Sequence, residues 1–536
     1  MLLSCLVAVL VASGCRKQGG LAGGGTILPH GGSSQKTGWA YNDPNKGFYN
    51  VQTDYQGKCP HGMVYIEVAT TVRGQNGDMV SVAKNNSKKR VASSAFFMDQ
   101  YEVTNMEWRE YVYWLQGIYA HRPDVVVRAL PDETVWRKEL AYNEPYVREY
   151  YVSPAYNNYP VVGVSWKQAT EYCKWRTDRI NELELVKAGV IPYVSLNVAN
   201  SKIQELPDSF ENFVFTTKGA RKYVYYVNAN PDEFAPDEGE FNFQPDYKSY
   251  DLNGDEEITP NEWSVVLEGA LYDSECRLPT EMEWEYAAYG LMTEKGIFDQ
   301  TNTYPWAGSQ LRTFEKTVNK ADFPMEEGDF MANFLRGRGD PVGIQINGTL
   351  TVPVWYFQPN NYGLYNMAGN VNEWVKDVYR ANVTPVEEIN SYRGNEFESD
   401  SLYAEEVLTK HFAYLDPAQR DSMRNVLIKE RGITRTGGDY RNFKDGDVQS
   451  ALEDSTRMEL IYKDLSPIEK ANMISNTARV YKGGGWNDRA IWLNPSQRRW
   501  LDENACRNDI GFRCVMSTVG GYEQERDFGN GKVEKR

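Results

Sequence analysis

Histidine is nearly absent: among 536 residues there are four, His30, His61, His121 and His411, too scattered to form a facial triad of iron ligands. Cysteine is sparse as well. After Cys15 come Cys59, Cys173, Cys276, Cys506 and Cys514, an odd number without the close pairs of a structural zinc site. No Gly-x-Ser-x-Gly elbow and no Walker-type loop occurs, which removes the usual hydrolase nucleophile and the usual phosphate cradle. Basic charge is in deficit. With 58 Lys and Arg against 74 Asp and Glu, the net charge of -16 argues against a general nucleic-acid or anionic-lipid binder. The apolar run Leu2–Ala12 is too short to span a bilayer.

What is present is enough for a large core. At 41% hydrophobic and 13% aromatic content, one domain with insertions is as consistent with the length as several separate ones. The apolar run ends in Ala12-Ser13-Gly14-Cys15, a small-residue processing site, so the mature chain is expected to be exported. The site resembles a bacterial lipobox, which implies cleavage before Cys15 and acylation of its thiol. The alternative is a plain signal peptide that leaves Cys15 free. Residues 16–60 are rich in Gly, Ser, Asn and Lys and cannot bury enough surface to fold alone, so they are expected to act as a flexible tether.

Alternation and Val, Tyr and Phe content over Met63–Asn105 predict short strands. Trp108, Tyr111, Val112 and Leu115 recur at helical spacing, which predicts a helix over 107–116 with those four in the core. A second helix is expected from Trp166 to Lys187 with Ser165 as N-cap, and a third after Thr280, whose Glu283 three residues on completes a capping box. Asn361–Asp377 packs aromatics, paired glycines and oxygen donors into seventeen residues and predicts a tight, side-chain-rich turn. Asn366, Asn370 and Glu373 offer oxygens there, and Gly369 lets backbone carbonyls approach, as a hard cation such as calcium requires. A packed turn with satisfied amides accounts for the same residues.

Asp251–Glu262 reads as a twelve-residue calcium loop. Asp251, Asn253 and Asp255 take positions one, three and five, Glu257 offers its carbonyl at seven, and Glu262 closes the loop bidentately. Glu256 stands at the sixth position, where glycine is usual; the alternative is a solvated acidic loop.

The turn resembles the GLYDMxGNVWEW segment of the formylglycine-generating-enzyme/sulfatase-modifying-factor domain. Other pieces of that domain follow in order: Phe97–Asn105, Tyr159–Trp166 with Tyr172–Trp175, Arg277–Ala287, Tyr304–Trp306, Val480–Trp486 and Gly511–Cys514. The resemblance implies an α+β, formylglycine-generating-enzyme-like fold related to C-type lectins and low in regular secondary structure. This domain is expected over 61–516, with long insertions at about 181–274 and 381–477 and a charged tail at 517–536.

The family's calcium ligands fall on Asn366, Gly369, Val371 and Glu373, and those of a second site on Asn333, Phe334 and Asn347, the last standing where an aspartate is usual. A disulfide of the family falls on Cys173 and Cys514. Active members hold copper(I) with two cysteines; here Asp488 and Leu493 occupy those positions, and neither is a soft ligand. The expectation is therefore calcium without copper, and a degenerate enzyme without catalytic residues.

The whole chain resembles the gliding-motility lipoproteins of Bacteroidetes. That implies a lipid-anchored scaffold on the periplasmic face of the outer membrane, with partners in the type IX secretion and gliding ring, including lipoprotein K and its periplasmic ring partner. Nucleic acid is not among the expected partners. The alternatives are a glycan- or peptide-binding lipoprotein and a divergent enzyme using a groove near Asp488 and Arg489.

Overall fold

The computed structural model describes residues 39, 57–74, 86, 89–118, 123–138, 140–187, 272, 274–290, 297–299, 303–306, 308–313, 327–336, 350–379, 419, 422–426, 477–519, 526–527 and 533–534. Two compact units partition the chain. The first comprises Met1–Lys58, Gln244–Asp273 and Thr518–Arg536; its described secondary structure is an antiparallel ladder between Arg526–Asp527 and Val533–Glu534. The second comprises Cys59–Phe243 and Ser274–Ser517 and carries the remaining elements.

That unit begins with β1 (Met63–Ile66), β2 (Ala69–Arg73), β3 (Lys89–Ser93) and β4 (Phe96–Asp99). Helices α1 (Asn105–Ile118), α2 (Pro123–Ala129), α3 (Glu144–Glu149) and α4 (Trp166–Lys187) follow. Then come β5 (Cys276–Arg277), α5 (Glu281–Tyr289), β6 (Ile297–Asp299), β7 (Asn372–Val378), β8 (Ala478–Lys482), β9 (Arg499–Asp502), β10 (Ile510–Gly511) and β11 (Val515–Ser517). Helix and strand are mixed along the chain, as an α+β domain requires.

Three helices start on the same device. Thr280 and Glu283 exchange side-chain to backbone bonds ahead of α5, as the sequence predicts, and Gly290 ends that helix in the left-handed conformation. Ser165 and Gln168 make the same exchange ahead of α4. Thr104 and Glu107 make it ahead of α1, so that helix starts at Asn105, two residues before the start at 107 that the apolar periodicity predicts. Its apolar face is core: Trp108, Tyr111, Val112 and Leu115 are all buried. Trp108 stacks on Tyr172 of α4 at 5.3 Å and meets the edge of Phe512 at 5.8 Å.

Strand order in one sheet is β1-β4-β11-β5, antiparallel throughout. β4 lies between neighbours on both sides, and all four of its residues are buried. A second sheet runs β10-β7-β8-β9, with β10 parallel to β7 and the other pairs antiparallel. A third runs β3-β2-β6. The main apolar cluster lies between α5 and the first two sheets, with Phe96, Met98, Trp284, Ala287, Val375 and Val480 at its centre.

A charged cluster is buried against α5. Lys482 Nζ lies 3.0 Å from Glu281 and 3.1 Å from Glu285, and Arg498 Nε lies 2.6 Å from Glu281. Burial opposes ionisation of Glu281, but Arg498 and Lys482 outweigh it and hold the carboxyl at about 2. Asp377 accepts the Glu281 backbone N–H at 2.6 Å without a comparable cation, and burial with the Glu281 charge pushes it up to about 6.

Because its folded value lies above the ordinary 3.8, Asp377 contributes stability that is complete below about pH 4 and lost as pH rises through 6. Asp377→Asn keeps an acceptor for the helix N–H and removes the charge. It should melt above the parent at pH 8, by an amount on the order of 3 kcal/mol or less, and the difference should vanish by about pH 4. Thermal melts at the two pH values check this; equal gaps at both would refute it.

Candidate functional site

The stretch after Asn361 is a turn for its first half only. Asn366, Gly369 and Asn370 adopt left-handed backbone angles, with φ of 51°, 86° and 61°. Asparagine and glycine are the residues that tolerate this conformation. From Asn372 the chain is β7, in contrast to the turn expected through Asp377, because Glu373 and Trp374 pair with Lys482 and Tyr481 of β8.

Gly369 carries the close approach. Its N–H donates to the Gly483 carbonyl at 3.0 Å, and the next N–H, of Asn370, donates to the Asn333 carbonyl at 2.9 Å. The turn is thereby held against two other segments at once.

Three fully buried charged groups sit behind it. Glu373 is held bidentately by Arg513, with Nε to Oε2 at 2.7 Å and Nη2 to Oε1 at 2.6 Å. Trp284 Nε1 adds a bond to Oε2 at 2.7 Å. Arg513 also donates to the carbonyls of Asp99 and Tyr365. Glu102, at 1% exposure, is the third group. Its carboxylate accepts from Asn366 Nδ2 at 2.9 Å and from Asn370 Nδ2 at 3.0 Å, two neutral amides. Burial and then the Glu373 charge push Glu102 up to about 8, against the pull of Arg513 and of both amides.

Asn366 is 5% exposed, and its Oδ1 has no hydrogen-bond partner. A buried amide oxygen left bare costs about 1–3 kcal/mol. It is also what a calcium ion would take. The donor set fits that ion: an amide oxygen, glycine-permitted carbonyls, and Glu373, whose Oε1 accepts one bond and keeps lone-pair capacity. Gly369 and Val371 lie just ahead of β7, which starts at Asn372 and carries Glu373. Among the described residues no group of three or more His, Cys, Asp and Glu is placed to hold a metal, so such a site rests on amide and carbonyl oxygens.

Of the second expected set, Asn333 is fully buried and donates from Nδ2 to the Leu350 carbonyl at 2.8 Å. Phe334 packs with Tyr304, Phe330 and Leu493. Asn347 lies outside the described residues, as do Cys15 and the loop residues Asp251, Asn253, Asp255, Glu257 and Glu262.

Asp488 and Leu493, where the resemblance puts a thiol pair, are built into the interior. Asp488 receives both Arg499 terminal nitrogens at 2.7 Å, Asn372 Nδ2 at 2.8 Å and the Gly485 N–H at 2.9 Å. Burial works to raise its pKa, but the Arg499 bonds and charge, with Asn372 and Gly485, hold it below the ordinary carboxylate range. The Arg499 guanidinium lies over Tyr481 at 4.8 Å and over Trp492 at 4.5 Å. Leu493 is completely buried. Arg489 donates to the Arg336 carbonyl, and Arg498 belongs to the Glu281 cluster. Asp488 and Arg498 thus sit in ion pairs, and Arg489 bonds a backbone carbonyl.

Cys173 and Cys514, 341 positions apart, are brought together with their sulfurs 3.4 Å apart, both as buried thiols. A disulfide needs about 2.05 Å, so bonding them requires a further approach. Cys276 is buried nearby, and burial first, then the Cys514 and Asp99 charges, push its thiol up to about 12 against Arg176.

Glu102 and Arg513 were not visible as site residues. Both lie inside the quoted motifs; Arg513 interrupts the apolar run Phe512–Met516, which is a local signal, whereas Glu102 sits among Asp99, Gln100 and Thr104 and has none.

The model of the sulfatase-modifying factor enzyme 1-like domain matches residues 50–426. The formylglycine-generating enzyme of Bos taurus is 35% identical over 115 residues, 21% of this chain and 25% of that protein. The inactive C-alpha-formylglycine-generating enzyme 2 of Mus musculus is 36% identical over 105 residues, 19% of this chain and 27% of that protein. The chaperone protein LppX of Paenibacillus barcinonensis is 32% identical over 124 residues, 23% of this chain and 38% of that protein. The chain thus spans about a quarter to two-fifths of the length of these curated relatives.

Proposed function

The chain belongs to the sulfatase-modifying factor enzyme 1-like domain family, and from that premise we propose that it is a non-catalytic structural lipoprotein of the gliding-motility and type IX secretion machinery. The observation that carries the first half of this reading is the fate of the two thiol positions. Asp488 is committed to Arg499, and Leu493 is core, so neither could hold copper(I). Two relatives support it by name, one as an inactive enzyme and one as a chaperone.

The second half rests on resemblance. The order of motifs, the signal before Cys15 and the two insertions are similar to those of gliding-motility lipoprotein J (GldJ) of Bacteroidetes, to which the shorter ring-forming lipoprotein K (GldK) is related. In this reading a lipid on Cys15 holds the chain at the periplasmic face of the outer membrane. The folded body then stabilises the periplasmic ring with lipoprotein K and its ring partner. Calcium acts structurally, held by Asn366, Gly369, Val371 and Glu373, and adds stability because the unfolded chain lacks the assembled site. The pairing of Cys173 with Cys514 in an oxidising compartment belongs to the same reading.

Affinity purification of the tagged full chain from outer membranes tests this function. Ring components should co-purify, and the purified protein should neither retain copper(I) nor convert a peptide cysteine to an aldehyde. Copper loading with aldehyde formation would overturn the non-catalytic half. Recovery of the mature chain from the cytosol would overturn the scaffold half.

A further inference from the structure

Glu102 touches no solvent and makes no bond to Arg513, yet it is bonded to both asparagines that turn the chain through left-handed angles. Asn366 spends both amide protons on acceptors: Glu102 Oε2 at 2.9 Å and the Val354 carbonyl at 2.9 Å. Rotating that amide by half a turn would set its oxygen against the Val354 carbonyl, two acceptors with no proton between them, and would withdraw both amide protons from Glu102 and Val354. The orientation of Asn366 is therefore fixed by Glu102 and Val354, and Oδ1 is the atom left bare. Asn370 differs. Its Nδ2 reaches Glu102 and the Val352 carbonyl, and its Oδ1 accepts the Val352 N–H at 2.9 Å, so it is satisfied on every side.

We propose that Glu102 is the positioning residue of the core cation site: by holding both asparagine amides through their nitrogens, it presents the Asn366 oxygen to a calcium ion. The inference rests on the core-calcium reading above and assigns Glu102 a role within it. Outer-shell partners of this kind fix the aim of a ligand without touching the metal. Both bonds reach one atom, Oε2, so a single acceptor with two lone pairs orients the two amides.

The test uses the full chain carrying Asp251→Ala and Glu262→Gln, which silence the candidate loop, and calorimetric titration with calcium chloride. Glu102→Leu should weaken calcium binding by about 10–100-fold, because it removes the acceptor that both amides share and frees the Asn366 oxygen to turn away. Adding Asn366→Asp to Glu102→Leu puts an oxygen at both ends of the side chain at position 366, so that either orientation presents one. This double variant should bind at least about tenfold more tightly than Glu102→Leu alone. A merely structural role for Glu102 would not be repaired by that exchange.

Binding by Glu102→Leu equal to that of the parent, or a double variant no tighter than Glu102→Leu, would overturn the assignment while leaving the calcium site standing. A parent that takes up no calcium would overturn the site itself. Melting in EDTA separates binding from folding. Where Glu102→Leu alone is unfolded, the comparison is between parent and double variant, and weak or absent binding by the double variant then counts against the proposal.

Discussion

Arg513→Met is expected to cost about 3–5 kcal/mol of folding stability, the range found when one partner of a buried ion pair is removed. Against a total stability of roughly 5–15 kcal/mol, that loss leaves the unit marginal at best. The reason lies in what the guanidinium leaves behind. Glu373 is completely buried and would retain the Trp284 indole as its donor, with the Glu102 carboxylate close enough to be felt. The carbonyls of Asp99 and Tyr365 would lose a donor as well. Pairing the change with Glu373→Leu removes the stranded charge and should recover a large part of the loss, since a buried pair replaced by apolar groups is often near neutral. Urea unfolding in EDTA, followed by circular dichroism, reads both variants. An Arg513→Met protein within about 1 kcal/mol of the parent would mean that water reaches Glu373.

Gly369→Ala is the second large effect. A Cβ at that position would lie 2.6 Å from the Asn333 carbonyl oxygen and 3.0 Å from the Ala332 Cβ, with φ at +86°. Left-handed strain in a non-glycine residue costs roughly 1–3 kcal/mol, and overpacking against backbone adds about 1–3 kcal/mol. Gly62 supplies the control, because its φ is +75° but nothing lies within 4 Å of the added atom. Gly62→Ala should therefore show the strain without the clash. If the two variants melt alike, the approach of the turn to Asn333 is looser than the structure has it, and the second candidate ligand set loses its connection to the first.

How much of this was legible follows the range over which each residue acts. The helices after Ser165 and Thr280 could be read because a cap and the residue it bonds lie three positions apart. The Thr104 and Glu107 box has the same spacing, but the apolar periodicity that marks this helix begins only at Trp108. Glu102 was beyond reach: its partners Asn366 and Asn370 are 264 and 268 positions away, and no local pattern marks a glutamate for the interior. The turn expected through Asp377 ends earlier because the oxygen-rich residues run on into β7, where Asn372 and Glu373 enter other networks. Asn372 donates to Asp488, and Glu373 meets Arg513. A polar residue in a buried strand imitates a loop until its partner is known.

The position of β11 bears on how the protein is made. This strand, Val515–Ser517, fits between β4 and β5, segments laid down more than two hundred residues before it. Until it arrives, β4 has a partner on one edge only, and Trp108 and Tyr172 wait for Phe512 to close their cluster. A growing chain can assemble α1 and α4 from local signals, but its first sheet stays open to any other strand that passes. Arrival of β11, followed by slow long-range pairing, thus sets the moment at which this body becomes resistant to proteases and safe from self-association.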